Sequence, residues 1–168
     1  MTQAKVTLDN IIGVSEHMED VRQRIAGAAQ KDVNVLIQGD TGTGKELIAK
    51  AIHYSSQRRQ NHFVEVDCGA IPPDLFESSL FGHVRGAFTG AMRDKVGLVE
   101  VAHRGTLFLD EVGNLSLDRQ AKLLRFLQER TYRQVGGHIT KEADVRIIAA
   151  ANIDLLQAVE ERTFRDEL

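Results

Sequence analysis

The strongest chemical signal in the sequence is a glycine-rich segment that ends in a lysine. Residues 39–45 read G-D-T-G-T-G-K and stand between a short apolar run and a helical pattern. Glycines let backbone N–H groups turn toward phosphate oxygens, and a helix N-terminus adds a favourable dipole. The lysine adds a point charge suited to the β- and γ-phosphates of a nucleotide. The segment predicts a phosphate-binding loop whose contacts come from Gly39, Asp40, Thr41, Gly42, Thr43, Gly44, Lys45 and Glu46.

Two adjacent carboxylates form the second element of this predicted site. Asp110 and Glu111 follow the apolar run Leu107–Leu109. At the end of a buried strand beside bound phosphates, the aspartate can hold Mg²⁺ and the glutamate can polarise an attacking water. The hydroxyl residue that usually follows the lysine and binds Mg²⁺ is replaced here by Glu46. We therefore assign the predicted metal contact to Asp110.

A third segment combines small residues with one aromatic side chain. It is the hexapeptide Gly86, Ala87, Phe88, Thr89, Gly90 and Ala91, flanked by charged residues. The glycines let the backbone change conformation, and Phe88 is suited to anchor a partner protein. A phenylalanine packed in the core of a tight turn is the alternative interpretation.

The remaining pattern describes the elements that must position these segments. Helical periodicity runs from a cap at Ser15 to about Gln30, and further helices follow residue 45, Pro72, Ser116 and about Leu155. A buried strand is predicted at 33–38, further strands at 63–66, 106–109 and 145–150, and a hairpin at 132–140. Strands that alternate with helices predict an α/β fold: a parallel sheet with helices on both faces, interrupted by an exposed insertion at 82–97.

Composition places the chain among soluble domains of ordinary size. It has 168 residues, a net charge of -3 and a single cysteine, Cys68, which excludes an intrachain disulfide. No apolar run approaches the length of a membrane span, so we expect a cytoplasmic protein without a membrane partner. The near-neutral charge provides no general attraction to nucleic acid.

Taken together, these segments resemble the central AAA+ ATPase domain of bacterial enhancer-binding proteins, the activators of sigma-54 RNA polymerase. The hexapeptide at 86–91 is close to diagnostic, whereas the other segments fit AAA+ proteins more broadly. The resemblance extends from about Ile11 onward and is carried by residues 39–46, 80–83, 86–91, 105–111, 145–152 and 163–165.

The resemblance implies an ATP-hydrolysing motor that uses Mg²⁺ and works as a homo-oligomeric ring. In this family the Gly86–Ala91 loop contacts sigma-54, and the hairpin near Gly136 is a second loop on the same side of the ring. Lys45, Asp110 and Glu111 would be catalytic, together with Arg165 as an arginine finger for the neighbouring subunit. A solvated surface arginine is the alternative for Arg165.

The resemblance also assigns Asn152 as a sensor of the γ-phosphate, with a helix cap as the alternative. Three positions depart from the family pattern. Ala151 replaces a common threonine, Arg104 replaces a common glycine, and Asp67 replaces an asparagine that holds the catalytic glutamate. Because an ionised aspartate cannot donate a hydrogen bond to Glu111, we expect the hydrolysis switch to be weakened or built differently.

We expect residues 1–10 to be a leader or linker and residues 11–168 to be the AAA+ α/β subdomain, C-terminally incomplete and without its lid. DNA would then be bound only through a domain absent from this sequence. Two other functions stay open: a general AAA+ remodeller of another client, and a nucleotide-dependent binding module without turnover.

Overall fold

The computed structural model describes residues 6–168, so residues 1–5 of the predicted leader lie outside the described residues. The helices are α1 (Glu16–Gln30), α2 (Lys45–Tyr54), α3 (Phe76–Phe81), α4 (Leu98–Val101), α5 (Leu117–Glu129) and α6 (Leu155–Glu160). The strands are β1 (Val35–Gln38), β2 (Phe63–Asp67), β3 (Gly82–His83), β4 (Lys95–Val96), β5 (Thr106–Asp110), β6 (Thr131–Arg133), β7 (Thr140–Glu142) and β8 (Arg146–Ala151).

The central sheet has four parallel strands in the order β1-β8-β5-β2. Its register pairs Gln38 with Ala151 and Asp67 with Asp110, which are the last residues of their strands. Because the strands are parallel, the segments that follow them meet at one edge of the sheet. The predicted α/β fold is confirmed, and this edge collects the phosphate-loop candidate and the acidic pair.

The two faces of the sheet carry separate apolar cores. Leu107 and Leu109 of β5 belong to one cluster, and Phe108 between them belongs to the other. The first cluster includes Phe76 of α3 and Phe126 of α5. The second includes residues of α1 and α2 with Ile148 of β8. This division follows from the two-residue repeat of a strand and confirms helices on both faces.

The expectation that the first strand is buried is wrong. This strand pairs with β8 on one side only, and Leu36 is 50% exposed. An apolar, β-branched run is typical both of an interior strand and of an edge strand, so the pattern did not distinguish them.

Helix termini differ in how they are capped. Ser15 caps α1 as predicted, since its Oγ accepts from the Met18 N–H at 3.3 Å. Ser116 occupies the N-cap of α5, but its side chain makes no cap hydrogen bond and instead accepts from Arg119 Nε. The buried face of α5 consists of Gln120, Leu123 and Phe126.

A buried histidine lies on α2, in the second core. His53 has no solvent exposure, and its Nδ1 shares a hydrogen bond of 2.9 Å with Thr106 Oγ1. Its Nε2 has no hydrogen-bond partner among the described residues. Tyr54 and Phe63 contact the ring. Burial, assisted by the nearby Arg146 charge, lowers the pKa of His53 to about 4.

Three arginines, Arg58, Arg130 and Arg146, line a polar cavity of about 390 Å³. The cavity lies at the edge of the sheet opposite the phosphate-loop candidate. Arg58 forms ion pairs with Asp32 at 2.7 Å and Asp144 at 2.6 Å. Arg146 donates to the Ala28 and Val33 carbonyl oxygens, and Arg130 donates to the Val145 carbonyl oxygen. The hydrogen bond from Arg58 lowers the pKa of the Asp32 carboxyl. These partners give the arginines a structural role.

The residue two positions before β5, Arg104, has an unusual backbone conformation. Arg104 has a φ of 62°, which is the left-handed region that glycine adopts at least cost. Its N–H donates to the Asp144 carbonyl oxygen at 2.6 Å, and its carbonyl oxygen accepts from Asn61 Nδ2 at 2.8 Å. A glycine would suit this position because the backbone, not the side chain, makes these contacts.

Candidate functional site at the carboxyl edge of the sheet

Residues 39–44 link β1 to α2 in a loop with two left-handed glycines. Gly42 and Gly44 have φ values of 82° and 83°. Lys45 is the first residue of α2 and is 9% exposed. Its Nζ donates to the carbonyl oxygens of Gly39 at 2.7 Å and Asp40 at 2.8 Å. The ammonium group therefore lies folded against its own loop, which is where phosphate oxygens would compete for it.

Glu46 is already paired within the protein. Its carboxylate forms an ion pair with Lys50 one turn later, and Lys50 also contacts Glu65 at 2.8 Å. Although burial opposes the shift, the hydrogen bonds that Lys50 donates to the two carboxylates raise its pKa. The acid that replaces the usual hydroxyl residue is thus held by a lysine on α2.

The acidic pair lies at the end of β5. Asp110 Oδ1 accepts from the Glu111 N–H at 2.9 Å, and no other described donor contacts this carboxylate. Glu111 has a left-handed backbone with a φ of 55°. Its Oε2 accepts from Asn114 Nδ2 at 2.7 Å, across a short 3₁₀ turn at Val112–Asn114. Strained backbone of this kind concentrates at functional sites.

Asp67 does not contact Glu111 by a hydrogen bond. Its Oδ1 accepts from the N–H groups of Gly69 at 2.9 Å and Ala70 at 3.0 Å. The two carboxylates are nevertheless close, because a methyl group placed on Gly69 would lie 2.8 Å from Glu111 Oε2 and 3.4 Å from Asp67 Oδ1. Asn114, which sequence reasoning missed, supplies the amide donor to Glu111. Its spacing of three residues after the glutamate was the available signal.

Asn152 follows β8 and contacts the glycine-rich loop. Its Nδ2 donates to Thr41 Oγ1 at 3.4 Å, and its buried Oδ1 has no partner among the described residues. Asp154 caps α6 by accepting from the N–H groups of Leu156 and Gln157. The helix-cap alternative for Asn152 is therefore wrong, and the structure brings this side chain to the loop.

Cys68 lies directly behind the acidic edge of the sheet. It is buried, and its N–H donates to the Asp110 carbonyl oxygen at 3.0 Å. Burial and the neighbouring carboxylates raise the pKa of the Cys68 thiol to about 12. This thiol is inert at neutral pH.

The hexapeptide at 86–91 lies between β3 and β4, and its base is firmly held. The Gly86 N–H donates to the Ala91 carbonyl oxygen at 2.8 Å, and Ala91 is buried. Gly86 and Gly90 have φ values of 81° and 100°, and a side chain on either would meet open space. Glycine is therefore favoured at both positions by the positive φ, and not by a lack of space for a side chain.

Phe88 is partly covered and partly free. It is 39% exposed, and its ring lies edge-on to His83 with centroids 5.0 Å apart. His83 is buried and shares a hydrogen bond of 2.7 Å with Ser78 Oγ. Near this loop, the predicted hairpin is confirmed as β6 and β7, and a methyl group on Gly136 would lie 2.8 Å from Ala87 Cβ. The alternative of a core phenylalanine at position 88 is wrong.

Arg165 contacts the first turn of α5. Its Nε donates to the Leu117 carbonyl oxygen at 3.2 Å, and its N–H donates to Gln120 Oε1 at 2.8 Å. Within residues 6–168, no hydrogen bond or ion pair joins Arg165 to the 39–46 loop or to the acidic pair. The 39–46 loop, the acidic pair and Asn152 lie at the carboxyl edge of the sheet, whereas Arg165 is attached to α5.

The loop after β1, the lysine that begins α2 and the acidic end of β5 together define a P-loop NTPase. The profile of the Sigma-54 interaction domain matches residues 11–168. The chain belongs to this family.

Named relatives agree with this assignment. The chain is 52% identical to the regulatory protein AtoC of Escherichia coli over 159 residues, which cover 95% of the chain and 34% of AtoC. It is 49% identical to the Nif-specific regulatory protein of Herbaspirillum seropedicae over 166 residues, covering 99% and 31%. The chain thus spans about a third of the length of these relatives.

A solved structure shows the same fold. NtrX from Brucella abortus, crystallised in complex with ATP, superposes with a TM-score of 0.84 and 38% identity over 93% of this chain and 35% of NtrX. Within residues 6–168, no helix combines the length and the apolar character that crossing a membrane requires.

Proposed function

We propose that the chain binds ATP at the 39–45 loop and hydrolyses it to drive contact with sigma-54 RNA polymerase. The observation that carries the proposal is the meeting of the loop, the acidic pair and Asn152 at one edge of the sheet, in a chain of this family. The backbone of the loop and Lys45 hold the phosphates. Asn152 contacts the loop residue Thr41 and has a free buried acceptor, which suits a sensor of the nucleotide.

The residues at this edge fit a Mg²⁺ ion. Asp110 uses one carboxylate oxygen for the Glu111 N–H, and its other oxygen accepts no hydrogen bond from a described residue. Carboxylate oxygens are ligands that Mg²⁺ prefers. Glu46 is paired with Lys50, so Asp110 is the protein group that would hold the ion. When bound, the ion neutralises charge on the β- and γ-phosphates.

Glu111 is the group that orients and polarises the attacking water. Asn114 holds one of its carboxylate oxygens, leaving the other available. This contact supplies the amide donor that Asp67 cannot provide, so the aspartate does not by itself argue for a module without turnover. The left-handed backbone of Glu111 fixes the direction of its side chain.

The Gly86–Ala91 loop is the proposed contact with sigma-54. Its base is hydrogen-bonded, and its glycines tolerate changes of backbone conformation. Phe88 rests against His83 and keeps a third of its surface or more available to a partner. Nucleotide turnover would shift Phe88 between its contact with His83 and its contact with sigma-54. Arg165 would act on the nucleotide of a second copy of the chain, in a ring.

A pair of variants in the full-length protein tests the client. Phe88→Ala should leave phosphate release unchanged and abolish co-purification of sigma-54 with the protein trapped by ADP–aluminium fluoride. Val101→Ala is the matched control, because Val101 is 43% exposed and apolar but lies on α4. Retained sigma-54 binding by Phe88→Ala would favour a general AAA+ remodeller of another client. Absence of phosphate release from the unmodified protein would favour a nucleotide-dependent binding module.

A further inference from the structure

Gln120 is a fully buried polar residue at the start of the buried face of α5. It precedes the core residues Leu123 and Phe126 of that helix and has 0% solvent exposure. Long polar side chains are rarely buried completely unless their polar atoms are paired. Both ends of this amide are paired, and the partners lie in a distant part of the sequence.

The amide joins two backbone segments. Gln120 Nε2 donates to the Leu115 carbonyl oxygen at 2.7 Å and to the Thr163 carbonyl oxygen at 2.9 Å. Gln120 Oε1 accepts from the Arg165 N–H at 2.8 Å. The glutamine therefore binds the residues on either side of Phe164, which is itself buried. The backbone of Arg165 is tied to α5 by a side chain.

The arginine side chain meets the same helix. Arg165 Nε donates to the Leu117 carbonyl oxygen at 3.2 Å, in the first turn of α5. Arg165 is thus attached to α5 through its backbone and its guanidinium. Gln120 fixes the position of the Arg165 backbone. It therefore determines which positions the Arg165 guanidinium can reach.

The same contacts lead back to the acidic pair. Leu115, whose carbonyl oxygen accepts from Gln120, is adjacent to Asn114, which donates to Glu111. A continuous set of hydrogen bonds and one peptide link therefore runs from Glu111 to Arg165. The site of one subunit and the arginine it would lend to the next are joined through a single buried amide.

We infer that Gln120 is a positioning residue for Arg165, holding it for use in the nucleotide site of a second copy of the chain. This inference rests on the proposed function, in which Arg165 acts in trans. An arginine finger contributes about 10³- to 10⁵-fold to turnover, and a misplacement of about 1 Å can cost about 100-fold. Loss of the Gln120 tether should therefore lower turnover less than loss of the arginine itself.

The first test is the turnover of full-length variants. Gln120→Met keeps the length and apolar volume of the side chain and removes all three hydrogen bonds. It should lower kcat by about 10- to 100-fold and leave the KM for ATP within about twofold. The matched control is Thr106→Val, which removes a buried hydrogen bond to His53 far from Arg165 and should leave kcat unchanged. Gln120→Leu, which also removes all three hydrogen bonds and keeps an apolar side chain of similar volume, is a second variant and should show the same loss.

Mixed oligomers separate positioning from general damage. Subunits with Arg165→Ala have an intact nucleotide site, and subunits with Lys45→Ala have an intact arginine, so mixing them should restore turnover. Lys45→Ala subunits should also rescue Gln120→Met subunits. Subunits that carry both Lys45→Ala and Gln120→Met should fail to rescue Arg165→Ala. A merely structural role would damage the variant's own site, which no partner could repair.

The outcomes distinguish the inference from the proposed function. If Arg165→Ala turns over ATP at the parental rate, the arginine-finger assignment fails and the inference fails with it. If Arg165→Ala is inactive but the double-variant subunits rescue it as well as Lys45→Ala subunits do, only the inference about Gln120 is overturned. If Gln120→Met raises the KM for ATP with kcat unchanged, Gln120 supports its own subunit's site and the inference is overturned.

Discussion

Acid should destabilise this protein through one buried histidine. His53 is completely buried, and its Nδ1 shares a hydrogen bond with Thr106 Oγ1. Burial lowers the pKa of His53 from the ordinary 6.5 to about 4. The native state therefore holds a neutral imidazole over a pH range in which the unfolded chain takes up a proton.

The sign and size of the effect follow from this difference in pKa. Above pH 6.5 the imidazole is neutral in both states, so its contribution to stability does not change with pH. As the pH falls from about 6.5 toward 4, the unfolded state binds more protons and the free energy of unfolding decreases. At 1.36 kcal/mol per pKa unit, the loss from His53 reaches about 3 kcal/mol, of which about 2 kcal/mol is lost by pH 5.

Urea denaturation at pH 7.5 and pH 5 measures this effect. His53→Gln removes the titrating group and keeps a side chain able to bond Thr106. The fall in unfolding free energy between the two pH values should be smaller by about 2 kcal/mol in this variant than in the parent. His103→Gln is the control, because His103 is exposed. Equal falls in the parent and in His53→Gln would refute the account of this histidine.

Two further predictions concern the edge of the sheet. The Cys68 thiol, with its pKa raised to about 12, should react with a maleimide at pH 8 at least about 100-fold more slowly in the native protein than in urea. Comparable rates by mass spectrometry would show that the thiol is accessible. Asp110→Ala should weaken retention of Mg–ATP, whereas Glu111→Gln should keep nucleotide affinity and lower phosphate release by about 10²- to 10⁴-fold. Equal losses of nucleotide affinity in both variants, measured by calorimetry, would contradict this division of roles.

Much of the fold could be predicted because its local signals agree. Strand and helix periodicities alternate along the chain, and Ser15 marks the start of α1 in both sequence and structure. The phosphate loop was recognisable because its glycines and lysine all lie within one short segment, residues 39–45. Local agreement of this kind needs no knowledge of distant contacts.

The missed features depend on contacts between distant residues. Leu36 is exposed because β1 lies at an edge of the sheet. The sequence of β1 alone does not indicate this edge position. Gln120 is buried because its amide finds partners at residues 163–165, far along the chain. A polar residue in a helical repeat is ordinarily expected to face solvent.

The identity of the residue that donates to Glu111 in place of an asparagine at position 67 could be found only from the structure. The sequence showed that Asp67 could not supply it. Only the left-handed backbone of Glu111 and the 3₁₀ turn after it bring Asn114 within 2.7 Å. Backbone conformations with positive φ at residues other than glycine have little sequence signal.

We propose that the nucleotide bound at the 39–45 loop sets the affinity of the 86–91 loop for sigma-54. The most direct measurement is the affinity of the full-length protein for purified sigma-54, with ADP–aluminium fluoride, with ADP and without nucleotide. The account predicts tight binding only with the transition-state mimic, and no response to it in Lys45→Ala or Phe88→Ala. The same affinity in all three nucleotide conditions would contradict the account.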